Sequence, residues 1–128
     1  MLKLLTNLEC YCPQYVGKKD ILISCDKIIK ICMTGELSQN NIISNIIPCD
    51  GLLAFPGLID QHVHIIGGGG EEGPISRIKE IEFEDIIMAG VTSLVGVLGV
   101  DSFTRSLGNL LAKARGLEVQ GLTTFIYR

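Results

Sequence analysis

Short apolar runs separated by polar turns make up the first part of the chain, residues 1–54. The runs are rich in Ile and Leu and too short for independent helices, and they cover Leu2–Leu8, Ile21–Cys25, Ile28–Met33 and Ile42–Ile47. Asp26-Lys27 separates the second run from the third, as a tight hairpin turn does. The pattern therefore predicts a small antiparallel β unit.

From about residue 55 the pattern changes to an alternation of strands and helices. The predicted order is strand, helix, strand, helix, strand, over Leu52–Ile59, Ile75–Ala89, Val91–Leu98, a stripe of Leu107, Leu110, Leu111 and Ala114, and Leu122–Tyr127. Ser102 or Thr104 is expected to cap the second helix, and Gly116 or Gly121 to end it. The alternation predicts βαβ units and a parallel sheet, either open and doubly wound or part of a (β/α)8 barrel.

Composition and charge narrow the classes of function. Hydrophobic residues make up 47% of the chain and charged residues 20%, which favours a globular protein, and the net charge of −3 favours neither nucleic acid nor a membrane surface as a partner. The five cysteines match no disulfide framework or zinc knuckle and are interpreted as reduced thiols. Because the sequence has no signal-peptide pattern and no apolar run of membrane-spanning length, a cytoplasmic protein is expected.

The two histidines of the chain, His62 and His64, lie at the end of an apolar run. Side chains at positions i and i+2 of a strand point to the same side, so the two imidazoles are expected to converge, as ligands of a divalent cation do. Asp60 is expected on the same face, where it supports a ligand or structures the strand end. Two ordinary histidines beside a loop are the alternative, because so short a motif often occurs by chance.

The residues around the histidine pair carry a resemblance that the pair alone does not. Residues 56–64 read PGLIDQHVH, which resembles the signature of the amidohydrolase superfamily. The resemblance implies that this segment is the first strand of a metal-dependent hydrolase TIM barrel, with His62 and His64 as the first two metal ligands. It also implies that residues 1–54 are the N-terminal portion of a small β-sandwich and that residues 55–128 are the first βαβαβ part of a truncated (β/α)8 barrel.

The glycine-rich loop that follows makes the resemblance more specific. Residues 60–71 read DQHVHIIGGGGE and closely resemble the isoaspartyl dipeptidase family, as do residues 89–93, 96–99 and 110–113. In that family the position of Glu71 binds the free α-amino group of a β-aspartyl dipeptide through a charge-assisted hydrogen bond. Gly69 and Val100 are the other expected substrate-binding residues, and Val100 stands where the family usually has Thr. A linker or a phosphate cradle is the alternative for the glycines, although no Walker A Gly-Lys-Ser/Thr follows them.

The resemblance also implies groups that this sequence does not supply. Enzymes of this kind hold two divalent metals, expected to be Zn²⁺, which a carboxylated lysine bridges, and they take two further histidines and a catalytic aspartate from later strands. The chain has no third histidine, and Lys113 falls in a helix pattern. We therefore expect the general base and the bridging lysine to lie beyond this chain, and the isolated chain to be inactive. The full-length protein is expected to be a homo-oligomeric metallopeptidase with a small-molecule substrate.

Two alternatives to a dipeptidase stay open on the sequence. One is another amidohydrolase, such as a dihydroorotase, hydantoinase or deaminase, because these share the paired histidines; the stretch from Gly67 to Glu71 is then the discriminating feature. The other is a non-catalytic α/β module that assembles with a partner, because three barrel strands alone leave a sheet edge exposed.

Overall fold

The computed structural model describes residues 1–101 and 104–127. Its contacts divide the chain into two compact units, Met1–Pro56 and Gly57–Arg128, where the sequence pattern placed the boundary between residues 54 and 55. Each unit has its own sheet and its own core. Ser102, one of the two predicted helix caps, lies outside the described residues.

A five-stranded sheet forms the first unit. Its strands are β1 (Leu2–Tyr11), β2 (Tyr15–Ser24), β3 (Lys27–Met33), β4 (Asn45–Pro48) and β5 (Leu53–Ala54). Strands β1 to β3 pair in antiparallel fashion as predicted, but β4 and β5 run parallel to β1, so the prediction of a wholly antiparallel unit is wrong. The reason is the connection over residues 34–44, which carries the chain back along the sheet. Strand β4 therefore runs in the same direction as β3.

The hairpin between β2 and β3 turns one residue earlier than predicted. Lys27 already pairs with Ser24, so the turn is made by Cys25 and Asp26, and Cys25 adopts a left-handed φ of 53°. The core of this unit is built from small and medium apolar side chains, among them Leu8, Cys10, Ile21 and Cys49. All five cysteines are free in the structure, and three of them, Cys10, Cys32 and Cys49, are buried.

One buried carboxylate holds the first unit at two turns. Asp20 is fully buried; its Oδ1 accepts the N–H of Asn7 at 3.0 Å and its Oδ2 accepts the N–H of Gly35 at 2.9 Å. Asn7 has a φ of 62° and lies in the irregularity of β1 between Leu5 and Leu8. A bulge leaves backbone groups unpaired, and a buried N–H requires a partner. Asp20 therefore fixes both the bulge and the turn after β3.

A three-stranded parallel sheet with two α-helices forms the second unit. Its elements are β6 (Leu58–Val63), a 3-10 turn (Pro74–Ser76), α1 (Phe83–Met88), β7 (Val91–Gly96), α2 (Leu107–Val119) and β8 (Thr123–Ile126). The order is β6-β7-β8 and both pairs are parallel, as the βαβ pattern predicted. The loops that follow β6 and β7 therefore start at the same edge of the sheet, the edge at which α/β folds bind ligands.

The predicted strand Leu52–Ile59 is split in two by Pro56-Gly57. The part before the break is β5, which pairs with β1, and the part after it is β6, which continues through His62. Gly57 is required at the start of the second unit, because a Cβ there would lie 2.0 Å from the Oγ1 of Thr92.

The predicted helix over Ile75–Ala89 is wrong in its first half. Only a 3-10 turn forms after the glycine loop, and the α-helix begins at Phe83. The segment between them bonds to the loop after β6, where the N–H of Ile78 donates to the oxygen of Gly68 at 2.9 Å and the N–H of Ile81 makes a similar bond. These amides have partners outside the segment, so they do not form the i to i−4 bonds of a helix.

Helix α2 begins later than predicted because Ser106 caps it, rather than Thr104. The Ser106 hydroxyl oxygen accepts the N–H of Asn109 at 3.2 Å. Gly116 lies inside the helix, and Gly121, with a φ of 111°, follows its end.

The stripe by which α2 packs is also shifted. Leu110 and Ala114 are buried together with Leu117, whereas Leu107 and Leu111 are exposed. Within residues 1–101 and 104–127, no helix has the length and apolar character needed to cross a membrane.

Candidate metal and substrate site

The two histidines lie where β6 ends. His62 is the second-last residue of β6, and His64 lies just after the end of this strand. Their ring centroids are 5.4 Å apart and the ring planes meet at 83°. The structure therefore brings the two rings together, with His62 exposed and His64 half-buried.

Two glycines enclose the His64 ring. A Cβ on Gly68 would lie 3.1 Å from the Cγ of His64, and a Cβ on Gly99 would lie 3.0 Å from its Nδ1. Gly68 is in the loop after β6 and Gly99 in the loop after β7. The ring is thus held between the loops that follow β6 and β7. Side chains at Gly68 and Gly99 would crowd the space that it occupies.

The histidine pair fits part of a metal site. The Nδ1 of His64 is buried and has no hydrogen-bond partner within the described ranges, and such a nitrogen is stabilised by a donor or by a cation. Among the same residues, no group of three or more His, Cys, Asp or Glu is placed to hold a metal ion. The pair offers two imidazole ligands, fewer than the three protein ligands typical of catalytic zinc.

Asp60 structures the end of β6. Its Oδ1 accepts the backbone N–H of His62 at 3.0 Å. This bond lies at the irregularity in the pairing of β6 with β7, between Asp60 and Val63. Two roles were predicted for Asp60, to support a ligand or to structure the strand end. Its contact with the backbone of His62 corresponds to the second role.

The glycine loop packs tightly against the segment that follows it. Gly67 and Gly69 have φ angles of 80° and 76°, in the left-handed region that favours glycine. A Cβ on Gly67 would lie 2.1 Å from the oxygen of Ile78, and a Cβ on Gly69 would lie 2.1 Å from the oxygen of Ser76. The Ser76 hydroxyl also accepts the N–H of Gly70 at 3.2 Å. These contacts show that the loop is closely packed, and they argue against the alternative that the glycines form a linker.

The expected substrate-binding residues lie along this loop and the next one. Gly69 and His64 border the same cavity, of about 270 Å³. Gly70 and Val100 border a second cavity, of about 350 Å³. Glu71 follows Gly70 at an exposed turn. Gly69 therefore shares a cavity with His64, Val100 shares one with the glycine loop, and the Glu71 side chain is accessible.

Arg105 is the residue of this region that the sequence did not reveal. It is 8% exposed; its Nε donates to the oxygen of Ile66 at 2.8 Å, its Nη2 to the oxygen of Ile78 at 2.9 Å, and its Nη1 to Asp101 Oδ2 at 2.9 Å. The Nε of Arg77 lies 3.2 Å from the same carboxylate oxygen. In the sequence, an arginine just before a helix gives no sign of burial, and two of its partners are backbone carbonyls that any residue carries.

The carboxylate of Asp101 is kept ionised by its neighbours. Hydrogen bonds from the hydroxyl and the backbone N–H of Thr104 lower the pKa of Asp101, and the charges of Arg77 and Arg105 act in the same direction. Asp101 is therefore the counter-charge of a buried arginine.

This unit, with paired histidines at the end of its first parallel strand, has the form of the start of an amidohydrolase fold. D-hydantoinase superposes on 91% of this chain and 24% of its own with a TM-score of 0.61, and at 21% identity it shows the fold alone. The imidazolonepropionase of Bacillus cytotoxicus is 30% identical over 66 residues, which are 51% of this chain and 16% of that protein. No protein-family model matches the chain.

The more specific resemblance is to beta-aspartyl dipeptidase. The crystal structure of this enzyme from Fervidobacterium islandicum AW-1 is 47% identical to the chain, covers 99% of it and matches with a TM-score of 0.89. The same enzyme in complex with a β-Asp-Leu dipeptide matches with a TM-score of 0.88. The predicted resemblance to the N-terminal portion of such an amidohydrolase is confirmed. The chain spans about a third of the dipeptidase, 34% of its length.

Proposed function

We propose that the chain is the N-terminal segment of a metal-dependent β-aspartyl dipeptidase, an enzyme that uses metal-activated water to hydrolyse the β-linked bond of isoaspartyl dipeptides. The observation that carries the proposal is the 47% identity, over 99% of this chain, to a dipeptidase seen with β-Asp-Leu. In this proposal the second unit is the beginning of a TIM barrel, and the first unit is part of the β-sandwich that accompanies it.

His62 and His64 would hold a metal ion in this enzyme. The buried Nδ1 of His64, which has no hydrogen-bond partner among the residues that the structure describes, and the proximity of the two rings support this assignment. We expect two Zn²⁺ per full-length subunit, with the bridging carboxylated lysine and the remaining ligands supplied from outside this chain. When bound, such ions lower the pKa of water and polarise the carbonyl under attack.

The remaining site residues would bind and orient the dipeptide. Glu71 is exposed beside the glycine loop, where its carboxylate can accept hydrogen bonds from the substrate ammonium. Gly69 lets the loop pack against the oxygen of Ser76, which a side chain at this position would meet, and it borders the same cavity as His64. Val100 offers an apolar surface, so any hydrogen bond from this position comes from its backbone. Glu71 is thus the expected source of selectivity for a free α-amino group.

The test is a chimera in which residues 1–127 of this chain replace the matching part of the Fervidobacterium dipeptidase. We expect the chimera to hydrolyse β-Asp-Leu, and we expect His62→Ala or His64→Ala to lower kcat/KM by at least about 100-fold, the scale on which disturbing a metal's surroundings acts. Asn41→Ala, in an exposed loop, is the control. A folded, metal-loaded chimera that leaves β-Asp-Leu intact would contradict the proposal.

The role of Glu71 has a matched control in the residue that follows it. Because a charged partner of the substrate ammonium acts mainly on binding, Glu71→Gln should raise KM about 10- to 100-fold, whereas Glu72→Gln should leave KM within about twofold. Steady-state kinetics of the chimera with β-Asp-Leu measure both. Equal effects at the two positions would remove the assignment of Glu71.

The identity to imidazolonepropionase over half of the chain favours a second candidate, a different amidohydrolase. Hydantoin and dihydroorotate, tested beside β-Asp-Leu on the full-length protein, decide between the two candidates. For a non-catalytic module that assembles with a partner, size-exclusion chromatography of the chain should give a discrete small oligomer. A homo-oligomeric state and a cytoplasmic location stay predictions from the sequence.

A further inference from the structure

Arg105 joins the two loops that enclose His64. The carbonyl of Ile66, two positions after His64, accepts from its Nε at 2.8 Å. Asp101, two positions after Gly99, accepts from its Nη1 at 2.9 Å. One side chain therefore connects the loop that carries His64 to the loop whose glycine lies against the His64 ring.

The third bond of Arg105 reaches the far side of the glycine loop. Its Nη2 donates to the carbonyl of Ile78 at 2.9 Å, and the N–H of Ile78 donates to the oxygen of Gly68 at 2.9 Å. A Cβ on Gly67 would lie 2.8 Å from the same Nη2. The guanidinium thus occupies the space that the glycine leaves, and it contacts both sides of the loop.

These contacts require an arginine in particular. A guanidinium holds its nitrogens in one plane at fixed angles, so it can bind two carbonyls and a carboxylate at once, whereas a lysine ammonium has no such fork. Burying this charge is costly unless every nitrogen is satisfied and a counter-charge is present. Asp101 provides that counter-charge, and Arg77 on the surface shares the same oxygen.

We propose that Arg105 is a positioning residue of the proposed metal and substrate site. Through Asp101 and the carbonyls of Ile66 and Ile78, it fixes His64 between its two glycines and sets the path of the loop that leads to Glu71. The functional consequence rests on the proposed function, but the positioning itself rests on the contacts described.

Amide hydrogen exchange of the 128-residue chain tests the positioning directly. The reporters are the amides of Gly67, which donates to the His64 oxygen at 2.8 Å, and of Ile78; the reference is the amide of Leu122, which donates to Leu117. We expect Arg105→Gln to speed exchange of the two reporters by about tenfold or more while Leu122 is unchanged, since only local opening becomes easier. Arg105→Lys should give a smaller increase.

Arg115→Gln is the matched control, because Arg115 is an exposed arginine of α2 that pairs with Glu118. It should change none of the three amides. If Arg105→Gln and Arg105→Lys each speed exchange of the reporter amides and of the Leu122 amide by the same factor, Arg105 has a merely structural role. That result would overturn the inference. Unchanged reporters in both variants would overturn it as well.

A Co²⁺ titration of the same proteins links positioning to the site. Histidine-dependent binding is defined by its loss in His62→Ala, and Arg105→Gln should weaken it by about tenfold, as changes around metal ligands do. Equal Co²⁺ affinity in the wild type and in Arg105→Gln would overturn the inference. If the wild type shows no histidine-dependent binding, the exchange rates alone decide on Arg105, and hydrolysis of β-Asp-Leu by the chimera decides on the proposed function.

Discussion

Among residues 1–101 and 104–127, each unit contains one fully or nearly buried charged side chain that is bonded to backbone groups, and the two side chains hold different segments. Asp20 in the first unit accepts two backbone N–H groups, from a bulge and from a turn. Arg105 in the second unit donates to two backbone carbonyls and to Asp101. The loops joined by Arg105 surround His64, whereas the turns joined by Asp20 contain no candidate ligand.

A buried charge acquires its functional role from the segments that it connects. Both side chains satisfy backbone groups that regular secondary structure leaves without partners. Asp20 does so inside a continuous sheet, and its loss should affect stability alone. Arg105 does so at the edge of a parallel sheet, where loops carry the chemistry, so its loss should affect both geometry and binding.

The largest effect is expected when a side chain is added at Gly67, where Ile78 and Arg105 leave no space for one. Gly67→Ala places a methyl group 2.1 Å from a backbone oxygen at a φ of 80°, while Gly73→Ala meets nothing within 4 Å at a φ of 84°. We expect Gly67→Ala to cost about 4 kcal/mol of unfolding free energy, and Gly73→Ala about 2 kcal/mol from its backbone angles alone, because a φ of 84° with a ψ of −162° is a conformation essentially restricted to glycine. Urea denaturation measures both, and equal costs would refute the close packing of the loop.

A somewhat smaller effect is expected from the removal of Asp20. Asp20→Ala leaves two backbone N–H groups without their acceptor, which should cost about 3 kcal/mol, and Asp20→Asn about half of that because its amide keeps one acceptor oxygen. The exposed Asp26 is the control, and Asp26→Ala should stay within about 0.5 kcal/mol. Urea denaturation gives these values.

The same variants sharpen the contrast between the two units. Asp20→Asn should leave the histidine-dependent Co²⁺ affinity of the chain unchanged, because the bonds of Asp20 lie entirely within the first unit. A loss of Co²⁺ affinity in Asp20→Asn, with the protein still folded, would break the distinction between a structural charge and a positioning one.

The smallest effect is a local dependence on pH. The pKa of Asp101 is lowered from its ordinary value of 3.8, so its ionised form stabilises the folded loop above that pH. This stabilisation is lost as the pH falls through the lowered pKa. The amide NMR shift of Ile78 should therefore change in acid below about pH 3.8, and Asp101→Asn should abolish that change while Asp85→Asn preserves it. An acid transition that survives in Asp101→Asn would exclude this carboxylate as its source.

Periodic patterns and local motifs predicted part of this molecule well. The parallel sheet follows from apolar strands alternating with helical stretches, and the approach of His62 to His64 follows from their spacing of two residues at the end of β6. Both features depend on residues close together in the chain, and neighbours in sequence decide them.

Long-range backbone bonding explains what the sequence could not predict. The helix expected over Ile75–Ala89 is lost in its first half because Ile78 bonds to the glycine loop. The functions of Asp20 and Arg105 depend on the backbone groups of distant segments, and every residue type carries such groups. The direction of β4 likewise depends on where the chain returns after residue 44, which no local pattern records.

The most direct test of the central claim is to measure metal content and β-Asp-Leu hydrolysis together on the purified 128-residue chain. The claim is that, among residues 1–101 and 104–127, His62 and His64 are the metal ligands that this chain provides. It predicts weak metal binding that requires both histidines, and no hydrolysis of β-Asp-Leu. About two tightly bound metals per chain together with turnover, the state of a complete two-metal site, would contradict it.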